Sequence, residues 1–238
     1  MLRVLDLFSG IGGFSLGLER TGGFRTVAFC EIELYCRAVL RKHWPDVPCF
    51  EDVRTLTAAD VGAADVICGG FPCQDISSMG KRKGLAGERS GLWGQYARLI
   101  GELRPSYVIV ENVAALLERG MADVIGELSE IGYDAEWAVV PASAVGSPQF
   151  RERVWILAYP MQEQERPRWV RRLCESQTTD WPRLVLPVGS GVADGIPDWL
   201  DRVGACGNSV VPQIPEIIGR AILEAEAMTN MQSEREGT

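Results

Sequence analysis

Apolar residues fall in short runs, separated by glycine-rich turns and by stretches with helical spacing. The run Arg3–Leu7 leads into Ser9-Gly10-Ile11-Gly12-Gly13, and a helical pattern follows from Phe14 to Arg20. A second run, Thr26–Cys30, precedes a helical stretch from about Glu33 to His43, and a third, short strand precedes Asp52. Later runs at Asp65–Cys68, Tyr107–Val110, Glu136–Val140 and Val154–Tyr159 alternate with helical stretches near Leu92–Leu103 and Met121–Ile131. Strands alternating with helices predict βαβ units, and so an α/β fold with a doubly wound, mostly parallel sheet. From Pro160 to about Pro187 the periodicity breaks into a segment rich in Arg, Gln, Trp and Pro. A turn-rich stretch, Gly189–Gly207, and a final helix from about Pro215 to Met228 complete the pattern, and Thr229–Thr238 reads as a frayed tail.

Composition narrows the class. With 238 residues, 46% of them hydrophobic, the chain can bury one α/β core with a small appendage. The absence of a long apolar run predicts neither a membrane span nor a secretory signal. Seven cysteines, at 30, 36, 49, 68, 73, 174 and 206, form no CxxC pair and indicate a reducing, cytoplasmic compartment. The single histidine, His43, rules out a multi-histidine metal site, and no metal is expected. His43 itself reads as a cation at a helix end. A net charge of −8 argues against coating nucleic acid by charge alone. Two local basic clusters stand out against it, Lys81-Arg82-Lys83 and the stretch holding Arg151, Arg153, Arg166, Arg168, Arg171 and Arg172.

Four motifs carry candidate chemistry. In Asp6-Leu7-Phe8-Ser9-Gly10-Ile11-Gly12-Gly13-Phe14, glycines between a first strand and a helix let a ligand approach the backbone. Glu31 follows the second strand, where a carboxylate can accept from both ribose hydroxyls, and Asp52 can meet an adenine amino group. Glycines plus acids suit NAD, FAD or S-adenosylmethionine, and suit a plain tight turn about equally; the lack of G-x-G-x-x-G disfavours a dinucleotide. The second motif, Gly69-Gly70-Phe71-Pro72-Cys73-Gln74-Asp75, puts Cys73 at the carboxyl end of a strand, before a polar, glycine-bearing loop with the character of a lid. The other cysteines read as small apolar residues. The third, Val110-Glu111-Asn112-Val113, ends the next strand with a carboxylate: a helix cap in isolation, a partly protonated donor beside a nucleophile. In the fourth, Gln149-Phe150-Arg151-Glu152-Arg153, two arginines at spacing two point to one side of an extended chain and can grip a carbonyl or phosphate, or make surface ion pairs.

In this order, and with Gly207-Asn208-Ser209-Val210-Val211-Pro212-Gln213 closing the series, the motifs resemble those of the cytosine-C5 DNA methyltransferases over roughly residues 3–159 and 189–226. The resemblance implies a Rossmann-like methyltransferase sheet, S-adenosylmethionine as cofactor and double-stranded DNA as substrate. It implies Cys73, in a turn shaped by Pro72 and braced by Asn112, as the nucleophile toward C6 of a flipped cytosine. Glu111 would hold N3 and the exocyclic amine, and Arg153, with Arg151, the base O2 or the cysteine. Phe8, Gly10, Gly12, Glu31, Asp52, Leu92, Asn208 and Val210 would form the cofactor site, and Lys81, Arg82 and Arg89 would touch the DNA backbone. No side chain offers itself for the C5 proton, which leaves water.

One departure stands out. Where family members hold a sizeable recognition region, this chain leaves roughly thirty residues. The expected division is a catalytic body of 1–159 and 188–228, a minimal recognition region of 160–187 and a flexible tail of 229–238. Arg166, Arg168, Arg171 and Arg172, with Trp169 and Trp181, are read as a small loop over the DNA groove, giving a short or relaxed target; positioning the backbone alone is the equal alternative. Other readings are a tRNA cytosine methyltransferase, an inactive DNA- or cofactor-binding relative and, weakest, an NAD-dependent dehydrogenase. A monomeric bacterial or phage enzyme, with or without a cognate restriction endonuclease, completes the expectation.

Overall fold

The computed structural model describes residues 1–72, 91–147, 151–161, 169 and 209–236, the last five by backbone alone. Seven strands form one sheet: β1 (Leu2–Leu7), β2 (Phe24–Cys30), β3 (Cys49–Phe50), β4 (Val66–Gly69), β5 (Tyr107–Val113), β6 (Tyr133–Pro141) and β7 (Glu152–Pro160). Their spatial order is β3-β2-β1-β4-β5-β7-β6. The pairs from β3 to β5 are parallel, while β7 runs antiparallel to both β5 and β6. The doubly wound, mostly parallel sheet is therefore present, with an antiparallel hairpin at one side.

The central strands read as apolar runs because both faces are covered. In β1, Leu5 and Leu7 face one core layer, which includes Ile67, Tyr96, Ile100 and Val108. Val4 faces the other, which includes Phe14, Leu18, Trp155, Ile218 and Ile222. The first layer is closed by α4 (Leu92–Leu103) and α6 (Met121–Ile131). The second is closed by α1 (Gly13–Glu19) and the final helix α7 (Gln213–Glu236). Helix α2 (Leu34–His43) ends in the basic residues Arg41, Lys42 and His43, at the helix end read from the sequence. Two single-turn helices, α3 (Ala58–Val61) and α5 (Leu116–Arg119), and a 3-10 turn at Ala142–Val145 complete the described elements.

Two expectations change. Helix α7 spans Gln213–Glu236 and so begins before Pro215 and continues past Met228. The stretch expected to fray is helical to Glu236. Trp169, expected over the DNA groove, is fully buried in the second core layer with Trp155, Tyr159 and Ile217. A large aromatic that fills a core gap cannot also reach a base edge, so Trp169 leaves the recognition set. No helix among the described residues is long and apolar enough to cross a membrane.

Candidate active site

Strand order reverses between β1 and β4, and the crevice outside the carboxyl ends of such a pair is where open α/β sheets bind ligands. The turn leaving β1 is tied down from inside. Ser9 Oγ donates to the Asp6 carbonyl at 2.6 Å and accepts from Cys30 N at 3.3 Å. Asp6 is fully buried and accepts from Ser15 Oγ at 2.7 Å and Ser15 N at 3.3 Å. Burial pushes its carboxyl up to about 8 against the pull of the Ser15 bonds. The turn needs glycine twice over. Gly12 adopts φ 87°, and a Cβ there would meet the Trp44 ring at 2.7 Å. A Cβ on Gly13 would meet the Val210 carbonyl oxygen at 2.6 Å, because the chain returning before α7 lies against this turn.

A cavity of about 530 Å³ opens on the α4 side of this crevice, within the size range of small-molecule sites. Of the residues expected at the cofactor, Phe8, Glu31, Asp52 and Leu92 line it. Gly10 contributes through its N–H, which donates to Glu31 Oε2 at 2.7 Å, while Glu33 N donates to Glu31 Oε1 at 2.8 Å. Gly12 and Val210 do not line it; they pack the turn from behind, against Trp44 and Gly13. Residues that sequence reasoning missed include Ile32, Val53, Arg54 and Gln95. Ile32 and Val53 directly follow the two acids, a signal that was there to be read. Ile32 is 61% exposed, an apolar face turned to the opening. Cys30 also lines the cavity, but burial pushes its thiol up to about 12, so it acts as an apolar wall. Asp52 is engaged by Arg54 along its carboxylate, and these bonds hold its carboxyl below the ordinary range.

A second group gathers on the α1/α7 side. Glu111, near the end of β5, is 8% exposed. Arg153 on β7 lies opposite Val113 and is thus the diagonal neighbour of Glu111, with Nε 3.1 Å from Oε1. Arg151 Nη2 is 3.8 Å from the same oxygen, so the two arginines do share a side. Burial raises the Glu111 carboxyl above its usual range while both arginines pull it back. Burial and the neighbouring Arg153 lower the Arg151 guanidinium. Arg151 Nη1 also donates to the Ser209 carbonyl at 2.8 Å, which ties the segment before α7 to this carboxylate.

The chain leaving β4 runs between the two groups. A Cβ on Gly70 would stand 2.9 Å from Glu111 Oε2, so this position must be glycine for the carboxylate to sit where it does. Asn112 Nδ2 donates to the Phe71 carbonyl at 2.9 Å, and Val113 N fixes the other end of that amide at 2.8 Å. Phe71 is buried against Trp93, with ring centroids 5.1 Å apart, and Pro72 lines the cavity. Cys73, Lys81, Arg82, Arg89, Arg166, Arg168, Arg171, Arg172 and Asn208 lie outside the described residues, as do Gln149 and Trp181.

The model of the C-5 cytosine-specific DNA methylase family matches residues 2–184. The chain is 38% identical over 165 residues to the type II methyltransferase M2.BsuMI of Bacillus subtilis, covering 66% of this chain and 42% of that protein. It is 31% identical over 162 residues to M.DsaV of Dactylococcopsis salina, covering 66% and 46%. The chain thus spans less than half the length of these relatives. Among solved structures, DNMT2 of Spodoptera frugiperda superposes with a TM-score of 0.59 at 22% identity, covering 69% of this chain and 52% of that one. Dnmt2 of S. pombe gives 0.57 at 23%, covering 70% and 51%. At these identities the two structures establish the shared fold.

Proposed function

Because the chain belongs to the C-5 cytosine-specific DNA methylase family, we propose that it transfers a methyl group from S-adenosylmethionine to C5 of cytosine in double-stranded DNA. Cys73 is the nucleophile in this reading. The observation that carries it is the course of Gly70–Pro72: Gly70 abuts Glu111, Asn112 holds the Phe71 carbonyl, and Pro72 lines the cavity. These contacts bring the described backbone, up to Pro72, between a buried carboxylate and the cavity, and this supports reading the next residue in sequence as the nucleophile.

The groups in the cavity fit the cofactor. Each Glu31 oxygen takes one backbone N–H and keeps acceptor capacity for ribose hydroxyls. Ile32, Val53 and Leu92 give apolar surface for a purine, and Asp52 accepts from an amine. When bound there, S-adenosylmethionine supplies an electrophilic methyl group.

The remaining chemistry belongs to the chain. The Cys73 thiolate adds to C6 of an everted cytosine, forming an S–C6 bond and shifting the C5–C6 π electrons so that C5 becomes nucleophilic. Glu111, its carboxyl raised by burial, donates to N3 as negative charge develops on the ring and accepts from the exocyclic amine. Arg153 fixes Glu111 through Nε and gives Nη1 to the Glu152 carbonyl, and in this reading its Nη2 serves the base O2. Once C5 carries the methyl, water removes the C5 proton, and the electrons of that bond re-form the double bond and expel the thiolate from C6. Lys81, Arg82 and Arg89 contact phosphates, which help offset the few kcal/mol of base eversion. The division into a body of 1–159 and 188–228 with recognition residues in 160–187 is retained, with Trp169 anchoring the latter to the core.

The test is methyl incorporation from labelled S-adenosylmethionine into mixed-sequence duplex DNA, beside tRNA and a Cys73→Ala control. Methylcytosine in DNA with the wild type alone supports the proposal. Transfer to tRNA only, or cofactor binding without transfer, refutes it.

A further inference from the structure

Four carboxylates line the cavity: Glu31, Glu33, Glu51 and Asp52. Glu31 takes the N–H groups of Gly10 and Glu33. Glu51 is paired with the guanidinium of Arg37, a buried residue of α2. Asp52 differs, because the guanidinium that holds it itself lines the cavity. Arg54 N and Nε donate to Oδ1, both at 2.9 Å; Nε also reaches Oδ2 at 3.0 Å, and Nη2 reaches Oδ2 at 2.6 Å. Three N–H groups make these four contacts, with Nε shared between the oxygens, and the Asp52 side chain is still 27% exposed, so the carboxylate keeps room for one more donor. The Asp52 backbone is fixed as well, its carbonyl accepting from Thr55 N and Leu56 N, both at 3.1 Å, and from Thr55 Oγ1 at 3.0 Å.

Resting on the cofactor reading above, we propose that Arg54 is a specificity-determining positioning residue: its fork holds Asp52 so that the remaining acceptor site reads the 6-amino group of the cofactor's adenine. A carboxylate free to rotate would spend much of its time turned to solvent, and ordering it would then count against binding. A bidentate guanidinium fixes both oxygens at once, which a point charge does not. Arg54 also holds the Asp52 carboxyl below its usual range, keeping it a pure acceptor. The Arg54 side chain is 63% exposed, so shortening it opens no void in the core.

The prediction is selective. Arg54→Ala weakens binding of a ligand with the 6-amino group and leaves one without it unaffected, whereas a general loosening of the cavity weakens both. Calorimetric titration of the full chain with S-adenosylhomocysteine, and with its analogue bearing purine in place of adenine, separates these cases. The wild type should prefer the adenine ligand by roughly tenfold, as for a hydrogen bond to a charged acceptor. Arg54→Ala should reduce that preference to about twofold, the whole change falling on the adenine ligand. In the variant, the preference that remains should also be lost at a higher pH on acidification, since Asp52 returns toward its ordinary carboxyl range. Equal weakening of both ligands, or no change in either, overturns the role of Arg54. Equal affinity of the wild type for the two ligands overturns the reading of Asp52 beneath it, and absence of S-adenosylhomocysteine binding overturns the cofactor reading itself.

Discussion

Asp6 allows a sharp test of how burial governs the glycine turn. The carboxyl is fully enclosed, Oδ2 takes both Ser15 donors, and Oδ1 has no hydrogen-bond partner within the usual geometry. Cys68, Tyr96, Cys49, Glu31 and Glu19 are the titratable groups that interact with it among the described residues. A carboxyl pushed from 3.8 to about 8 stays protonated in the folded chain while the unfolded chain releases its proton. Because the folded value is the raised one, its relative stability is fully present below pH 4 and is lost as pH rises toward 8. At about 1.4 kcal/mol per unit, up to about 4 kcal/mol is forfeited by pH 7. Asp6→Asn keeps the shape and the acceptor for Ser15 and has no proton to lose. The variant should therefore gain on the wild type by about 1.4 kcal/mol per pH unit from pH 5 to 8, and then level off. Urea unfolding of both proteins at each pH reads the difference directly. Cys68 and Tyr96 stay neutral across this window because burial raises both, and the remaining carboxylates are common to the two proteins. A stability difference that stays constant from pH 5 to 8, or one that grows in the opposite direction, would refute the reasoning.

Two further substitutions probe other parts of the site. Gly70→Ala puts a methyl 2.9 Å from Glu111 Oε2 and must displace that carboxylate; methyl-transfer kcat should fall by about tenfold to a hundredfold, as for displacements approaching 1 Å. Cofactor affinity from calorimetry should hold, and a parallel loss of both would show a collapsed site instead. Trp169→Ala removes a fully buried ring and should cost about 3–5 kcal/mol in urea unfolding, whereas unchanged stability with weakened DNA binding would return Trp169 to the recognition surface.

The parts of the fold legible in the sequence were those that burial constrains. β1, β4, β5 and β7 are enclosed on both faces and so appear as apolar runs. α4 and α6 each present a buried face at helical spacing, and both run between the expected residues. The reversal of β7 was not legible, because alternation along a strand carries no direction. α3 and α5 are single turns, too short to show a period. The end of α7 was misplaced because apolar spacing stops where the helix leaves the core, while the residues after Met228 can still propagate a helix. Trp169 was misread because an aromatic flanked by arginines looks the same in sequence whether it covers a core or reads a base. In the site, acids after strands and the Gln-x-Arg-x-Arg spacing marked real neighbours. The hold of Arg54 on Asp52 and of Arg151 on Ser209 was not visible, since each joins groups that the motifs treat separately.

The sheet itself explains why the motifs are scattered along the chain. The cavity lies on the α4 face, with Leu92 and Gln95 in its wall, whereas Glu111 lies on the α1/α7 face, near Val211 and Ile214. A sheet separates the two, and a side chain on either face cannot reach across it. Among the described residues, the backbone from Gly70 to Pro72 is what joins them, rounding the end of β4 at the switch point. Under the proposed reaction, which needs a base on one side and a methyl donor on the other, this segment is the link between the two. This accounts for a glycine where the carboxylate presses in, an asparagine fixing the next carbonyl, and a proline at the cavity wall. The conformational freedom of the turn is removed over Gly70–Pro72, so the buried carboxylate and the cavity are held in register by three residues of backbone rather than by contact with each other.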